Sequence, residues 1–85
     1  MKKKIVQLVG LEVFTSKKGT HCMTIHTLTP LAKREAHTEC IGQMATSYFV
    51  PDELKSKISA NDIGKELTIL TAFYGNKDNL IDIAD

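Results

Sequence analysis

An 85-residue chain that is 42% apolar and 25% charged has the length of one small domain and the composition of a folded protein, not a disordered one. Its net charge of +1 means that the chain as a whole is no polycation, and no apolar run approaches the length of a membrane span. With no tryptophan and few aromatics, the core must rest on Ile, Leu, Val and Met, and so small a core makes a homodimer the expected assembly.

From Lys4 to Phe14 the apolar residues fall on both parities, Ile5, Val9, Leu11 and Val13 on one and Val6, Leu8 and Phe14 on the other. A helix is conceivable from that periodicity. The Val/Ile/Phe enrichment, Gly10 in the interior and Thr15-Ser16 at the end favour a long strand, with Gly10 marking a bend or bulge. Ser16-Lys17-Lys18-Gly19-Thr20 reads as a hairpin loop with positive φ at Gly19. His21 to Leu28 alternates as a second strand, and Thr29-Pro30 breaks it. Leu31 to Ala36 suits a loop or hairpin arm, and Thr38 to Val50 supplies a third strand interrupted at Gly42.

Pro51 followed by Asp52 and Glu53 predicts the start of one short helix, with Leu54 and Ile58 as its apolar edge. Asn61, Asp62 and Gly64 end it. Glu66 to Tyr74 is the fourth strand, Gly75 to Asp78 a turn, and Asn79 to Ala84 a short fifth strand. The expected fold is all-β with one short helix: a five-stranded OB-type barrel spanning residues 1–85, with the helix between strands 3 and 4.

Charge is unevenly placed, +4 over residues 1–40 and −3 over residues 41–85. Lys2-Lys3-Lys4 imitates the start of a secretory signal, but the apolar run after it is interrupted by Gln7 and followed by Glu12, so a cytoplasmic location is expected. There Cys22 and Cys40 stay reduced.

The chemistry-bearing residues are few. His21, Cys22, His26, His37 and Cys40 form the most metal-like cluster. Opposite strand faces separate His21 from Cys22, and no CxxC knuckle is present, so no metal or other cofactor is expected. Ser16, Ser47, Ser56 and Ser59 lack a nucleophile-elbow context, and no carboxylate pair suits acid–base work, so no enzymatic activity is expected.

Single-stranded nucleic acid needs cations that track phosphates and flat side chains on which bases stack. Lys17 and Lys18, bracketed by Phe14 and His21, offer the first loop; Lys33 and Arg34 offer the second. In Tyr48-Phe49 and Phe73-Tyr74 neighbouring side chains face opposite ways, and Tyr48 and Tyr74 are expected outward because their hydroxyls prefer water or a polar partner.

Thr15-Ser16-Lys17-Lys18-Gly19 after the first strand, Tyr48-Phe49-Val50-Pro51-Asp52-Glu53-Leu54 after the third, Ile63-Gly64-Lys65-Glu66-Leu67 entering the fourth and Tyr74-Gly75-Asn76 before the fifth carry a resemblance. This layout resembles the small OB-fold single-stranded DNA-binding proteins of phages and mobile elements, of the filamentous-phage gene V type. The resemblance implies a barrel of about five strands, commonly dimeric, that coats single-stranded DNA during replication without sequence preference. On this chain it implies phosphate contacts from Lys17, Lys18, Lys33 and Arg34 and stacking on Tyr48 and Tyr74.

Sequence-independent single-stranded DNA binding, with DNA favoured over RNA and no membrane partner, is therefore the leading expectation. The alternative is a protein-interaction module on the same fold, a phage or plasmid accessory factor that uses strand edges or the acidic C-terminal half. Whether Lys17, Lys18, Lys33 and Arg34 line one groove discriminates between the two.

Overall fold

The structure, a computed structural model, describes residues 1–30 and 41–84. Five strands, β1 (Lys2–Thr15), β2 (His21–Pro30), β3 (Gln43–Val50), β4 (Glu66–Tyr74) and β5 (Lys77–Ala84), make one antiparallel sheet in the order β3-β2-β1-β4-β5. β1 is the organising strand. It pairs with β4 over Lys2 to Gln7 and with β2 over Gln7 to Thr15. At the hand-over Leu8 N–H donates to the Lys65 carbonyl (2.9 Å) and the Leu8 carbonyl accepts from Gly64 N–H (2.7 Å).

The β1–β2 register slips between Leu8 and Gly10, as the interior glycine predicts. The slip reverses parity. Before it, Val6 and Leu8 face the core; after it, Leu11 opposite Ile25 takes that face. The reversal accounts for Val6, Leu8 and Leu11, whereas Ile5, Val9, Val13 and Phe14 are exposed. Glycine suits this close approach: a Cβ at position 10 would lie 3.2 Å from His26 Cβ and Cδ2, so the imidazole would have to give way slightly.

One face of the sheet supplies the core, with Val6 and Leu8 from β1, Ile25 from β2, Tyr48 and Val50 from β3, Ile69 from β4, and Leu80 and Ile83 from β5. Both sheet edges feed one cluster, so the sheet curls upon itself. β3 and β5 both run parallel to β1 and are not hydrogen-bonded to each other, which leaves the sheet open between them.

Two short 3-10 turns, Asp52–Lys57 and Ala60–Asp62, stand where one helix is expected. Leu54 and Ile58 are both buried, as their spacing predicts, but Ile58 reaches the core from extended backbone (φ −127°, ψ 136°). Asp62 Oδ2 accepts from Ser59 N–H (3.0 Å) and fixes the second turn.

The β4–β5 connection is tighter than the sequence predicts. Gly75 and Asn76 both take positive φ (60° and 66°), the backbone of a two-residue type I′ hairpin. Tyr74 and Lys77 then close the ladder, and β5 starts at Lys77 instead of Asn79. The expected third strand from Thr38 shortens to Gln43–Val50; its residues 38–40 lie outside the described residues.

Across the open side of the sheet, Lys4 of β1 donates to Asp78 Oδ2 of β5 (2.8 Å). The hydrogen bond to Asp78, aided by the neighbouring Tyr48 hydroxyl of β3, holds the Lys4 ammonium above its ordinary pKa of 10.5 despite partial burial. Tyr48 is only 3% exposed and Phe49 55% exposed, so the expected outward tyrosine points inward and the phenylalanine outward. The hydroxyl lies inside, near the Lys4 ammonium, and Tyr48 shares parity with Val50 while Phe49 shares it with Ser47.

Two predictions test this arrangement. In urea unfolding, Tyr48→Ala costs about 3–5 kcal/mol, as for other buried aromatics, whereas Phe49→Ala costs under about 1 kcal/mol; equal costs would refute the assignment of faces. Because the folded pKa of Lys4 is raised, its stabilisation is complete below the unfolded value near 10.5 and is lost as pH rises through the folded value. The stability difference between wild type and Lys4→Met is therefore constant from pH 7 to 9 and shrinks above pH 10.5. A difference that is flat to pH 12 would contradict the pairing.

Candidate nucleic-acid interface

The parity reversal at the β1 bulge places Glu12 and Phe14 on the outer face of the sheet. Phe14 stands opposite Cys22; Glu12, Thr24 and Phe49 form the next cross-strand row; Gly10, His26 and Ser47 form the row after that. Phe14 is 47% exposed. With Phe49 it flanks the smaller Cys22 and Thr24 of β2, giving two open phenyl rings on a shallow surface. An exposed ring offers a base its face, and every base has one.

A groove of about 170 Å³ runs between Phe49 and the β4–β5 hairpin, with Ser47 and Pro51 on one side and Tyr74 and Lys77 on the other. Tyr74 is exposed, as expected. Asn79 Nδ2 donates to the Tyr74 carbonyl (3.1 Å) and the Lys77 carbonyl (3.0 Å), so the hairpin that carries both side chains is pinned from within. Phe73 is exposed as well, because β4 outruns the core at its last two residues. The expectation that one of that pair packs inward does not hold.

Lys17 and Lys18 occupy the tip of the β1–β2 hairpin, where Ser16 N–H donates to the Thr20 carbonyl (2.8 Å) and Gly19 N–H to the Ser16 carbonyl (2.9 Å). Both lysines are exposed, and neither they nor Lys77 form an ion pair among the described residues. His21 has the parity of Met23 and Ile25, opposite to that of Phe14's neighbour Cys22, so it is not brought onto the aromatic face. Its carbonyl accepts from Lys55 Nζ (2.6 Å). Tyr48 forms part of the groove's inner wall and presents no open ring face. Lys33 and Arg34, like His37 and Cys40, lie outside the described residues.

Three outer-face residues are tied together. Ser47 Oγ and His26 Nδ1 are 2.6 Å apart, and His26 Nε2 meets Glu12 Oε1 on its other side. His26, from the metal-like set, is thus committed to hydrogen bonds, and among the described residues no three His, Cys, Asp or Glu side chains form a metal-binding group. Phe49, Lys77 and Glu12 are the site residues that the sequence reading passes over. The available signal is the pairing of small polar Ser47 with Phe49 on one parity, which marks that face as the outer one.

Among the described residues no helix is long and apolar enough to cross a membrane. No family model matches this chain, and neither a curated protein nor a solved structure matches it.

Proposed function

We propose that this protein is a non-enzymatic binder of single-stranded DNA, built on an OB-type barrel with one open seam. The observation that carries the reading is the pair of open rings, Phe14 and Phe49, on the outer face of β1–β2–β3. Tyr74 and Lys77 across the groove, and Lys17 and Lys18 at the hairpin tip, supply the further stacking and charge that such a ligand needs. The strand order, with parallel β3 and β5 at its two edges and the 3-10 turns between β3 and β4, supports the OB-type reading.

A second reading, a protein-interaction module, is favoured by the edges of β3 and β5, which have no ladder partner among the described residues and suit strand addition.

Titration of a dye-labelled, mixed-sequence oligodeoxynucleotide at several salt concentrations tests the proposal. Affinity falls linearly on a log–log plot with salt, and Lys17→Ala/Lys18→Ala reduces the slope by about 1.4, the release expected from two phosphates of a single strand. Phe14→Ala, Phe49→Ala and Tyr74→Ala each weaken binding by about 1–3 kcal/mol with little change in slope. Salt-insensitive binding, or none at low ionic strength, overturns the reading in favour of the interaction module.

A further inference from the structure

We infer that Glu12 reads a base edge on the aromatic face and favours guanine over thymine at one position of the bound strand. The inference rests on the single-stranded DNA reading and sharpens it: most contacts accept any base, and one does not.

A carboxylate is an unexpected neighbour for a polyanion. Glu12 nevertheless stands on the outer face in the row of Phe49 and two residues from Phe14, with 62% of its side chain exposed. Strand geometry puts it roughly 7 Å along β1 from Phe14 and roughly 10 Å across two strand spacings from Phe49. A base stacked on either ring turns its edge towards the gap that Glu12 occupies.

The carboxylate is also held in place. His26 Nε2 binds Oε1, Ser47 Oγ orients the far side of the imidazole, and bare Gly10 leaves room for the ring over β1. Residues from three strands thus fix one exposed acceptor, with Oε2 not engaged among the described residues. A pre-positioned acceptor costs little further side-chain entropy when it meets a ligand.

The chemistry of the acceptor selects the base. An ionised carboxylate only accepts hydrogen bonds. Guanine presents two adjacent donors, N1–H and N2–H₂, on its Watson–Crick edge, the edge that unstacked bases expose to proteins. Cytosine and adenine present one amino group beside an acceptor nitrogen. Thymine presents N3–H between two carbonyl oxygens, both of which repel a carboxylate.

The test compares dye-labelled (dT)n with (dG-dT)n/2 of equal length at low ionic strength in lithium buffer, which suppresses guanine quadruplexes. Wild type is expected to bind the guanine-containing strand roughly 5- to 100-fold more tightly, the range of one good base-edge pair. Glu12→Gln, an exposed and isosteric change whose folding is checked by thermal melting, brings the ratio to within about twofold by weakening the guanine strand relative to (dT)n. Ser47→Ala, which loosens His26, lowers the same ratio by weakening the guanine strand more than (dT)n. If Glu12→Gln strengthens both strands by one common factor, or wild type shows no preference, the base-reading role is overturned while DNA binding stands. If wild type binds neither strand, the functional proposal itself fails.

Discussion

Between Leu8 and Gly10 β1 gains one residue relative to β2, and the strand bends there while Leu8 is hydrogen-bonded to the chain entering β4. A straight strand of this length would send one parity inward throughout. The added residue lets Val6 and Leu8 pack beneath β4 and Leu11 pack against Ile25, so one strand serves two halves of a curled sheet. The same residue turns Glu12 and Phe14 outward. Core and candidate interface are thus two consequences of a single local event, and the close approach of His26 to Gly10 adds a third, since that approach brings the imidazole to Glu12.

The two sheet edges are brought together by side chains, not by a backbone ladder. Lys4 on β1, Asp78 on β5 and Tyr48 on β3 meet where a closed barrel would have main-chain hydrogen bonds. On the outer side of that seam lies the groove of Phe49, Tyr74 and Lys77. Adjacent residues of β3 therefore divide the labour: Tyr48 anchors the interior, which fixes the outward direction of Phe49. Burial of the tyrosine is what presents the phenylalanine.

Much of the strand pattern is legible in the sequence because it depends on short-range chemistry. Gly10 marks the bulge, Gly19 the first hairpin, and Leu54 and Ile58 the buried edge between β3 and β4. The rest depends on partners far along the chain. Tyr48 is misassigned because a hydroxyl is expected to seek water, and Lys4, whose ammonium stands near it inside, is 44 residues away in sequence. The start of β5 is misplaced because a Gly-Asn pair with both φ positive needs only two residues to reverse the chain. Phe73 is exposed because β4 extends past the core, and no local pattern reports where a core ends. Glu12, His26 and Ser47 look unrelated in sequence, since only strand register brings them into contact.

On the proposed single-stranded DNA reading, ion pairing withdraws several lysines of this chain from phosphate contact. Lys4, Lys55 and Lys57 are committed to Asp78, Asp52 and Asp82, and Lys57 with the Ile83 N–H holds the Asp82 carboxyl below its usual range, the N–H being the larger cause. Lys17, Lys18 and Lys77, on the two hairpins, are exposed and form no ion pair among the described residues, and the same holds for Lys2, Lys3 and Lys65. Three phosphate contacts, one from each hairpin lysine, would correspond on a single strand to a salt slope of about −2. On the same single-stranded DNA reading, the open rings at Phe14, Phe49 and Tyr74 add stacking to such contacts. Under that balance one carboxylate on the stacking face repels only a few nearby phosphates, while its effect on the base beside it is undiluted. A near-neutral binder can carry a base-reading anion that a strongly cationic one would neutralise.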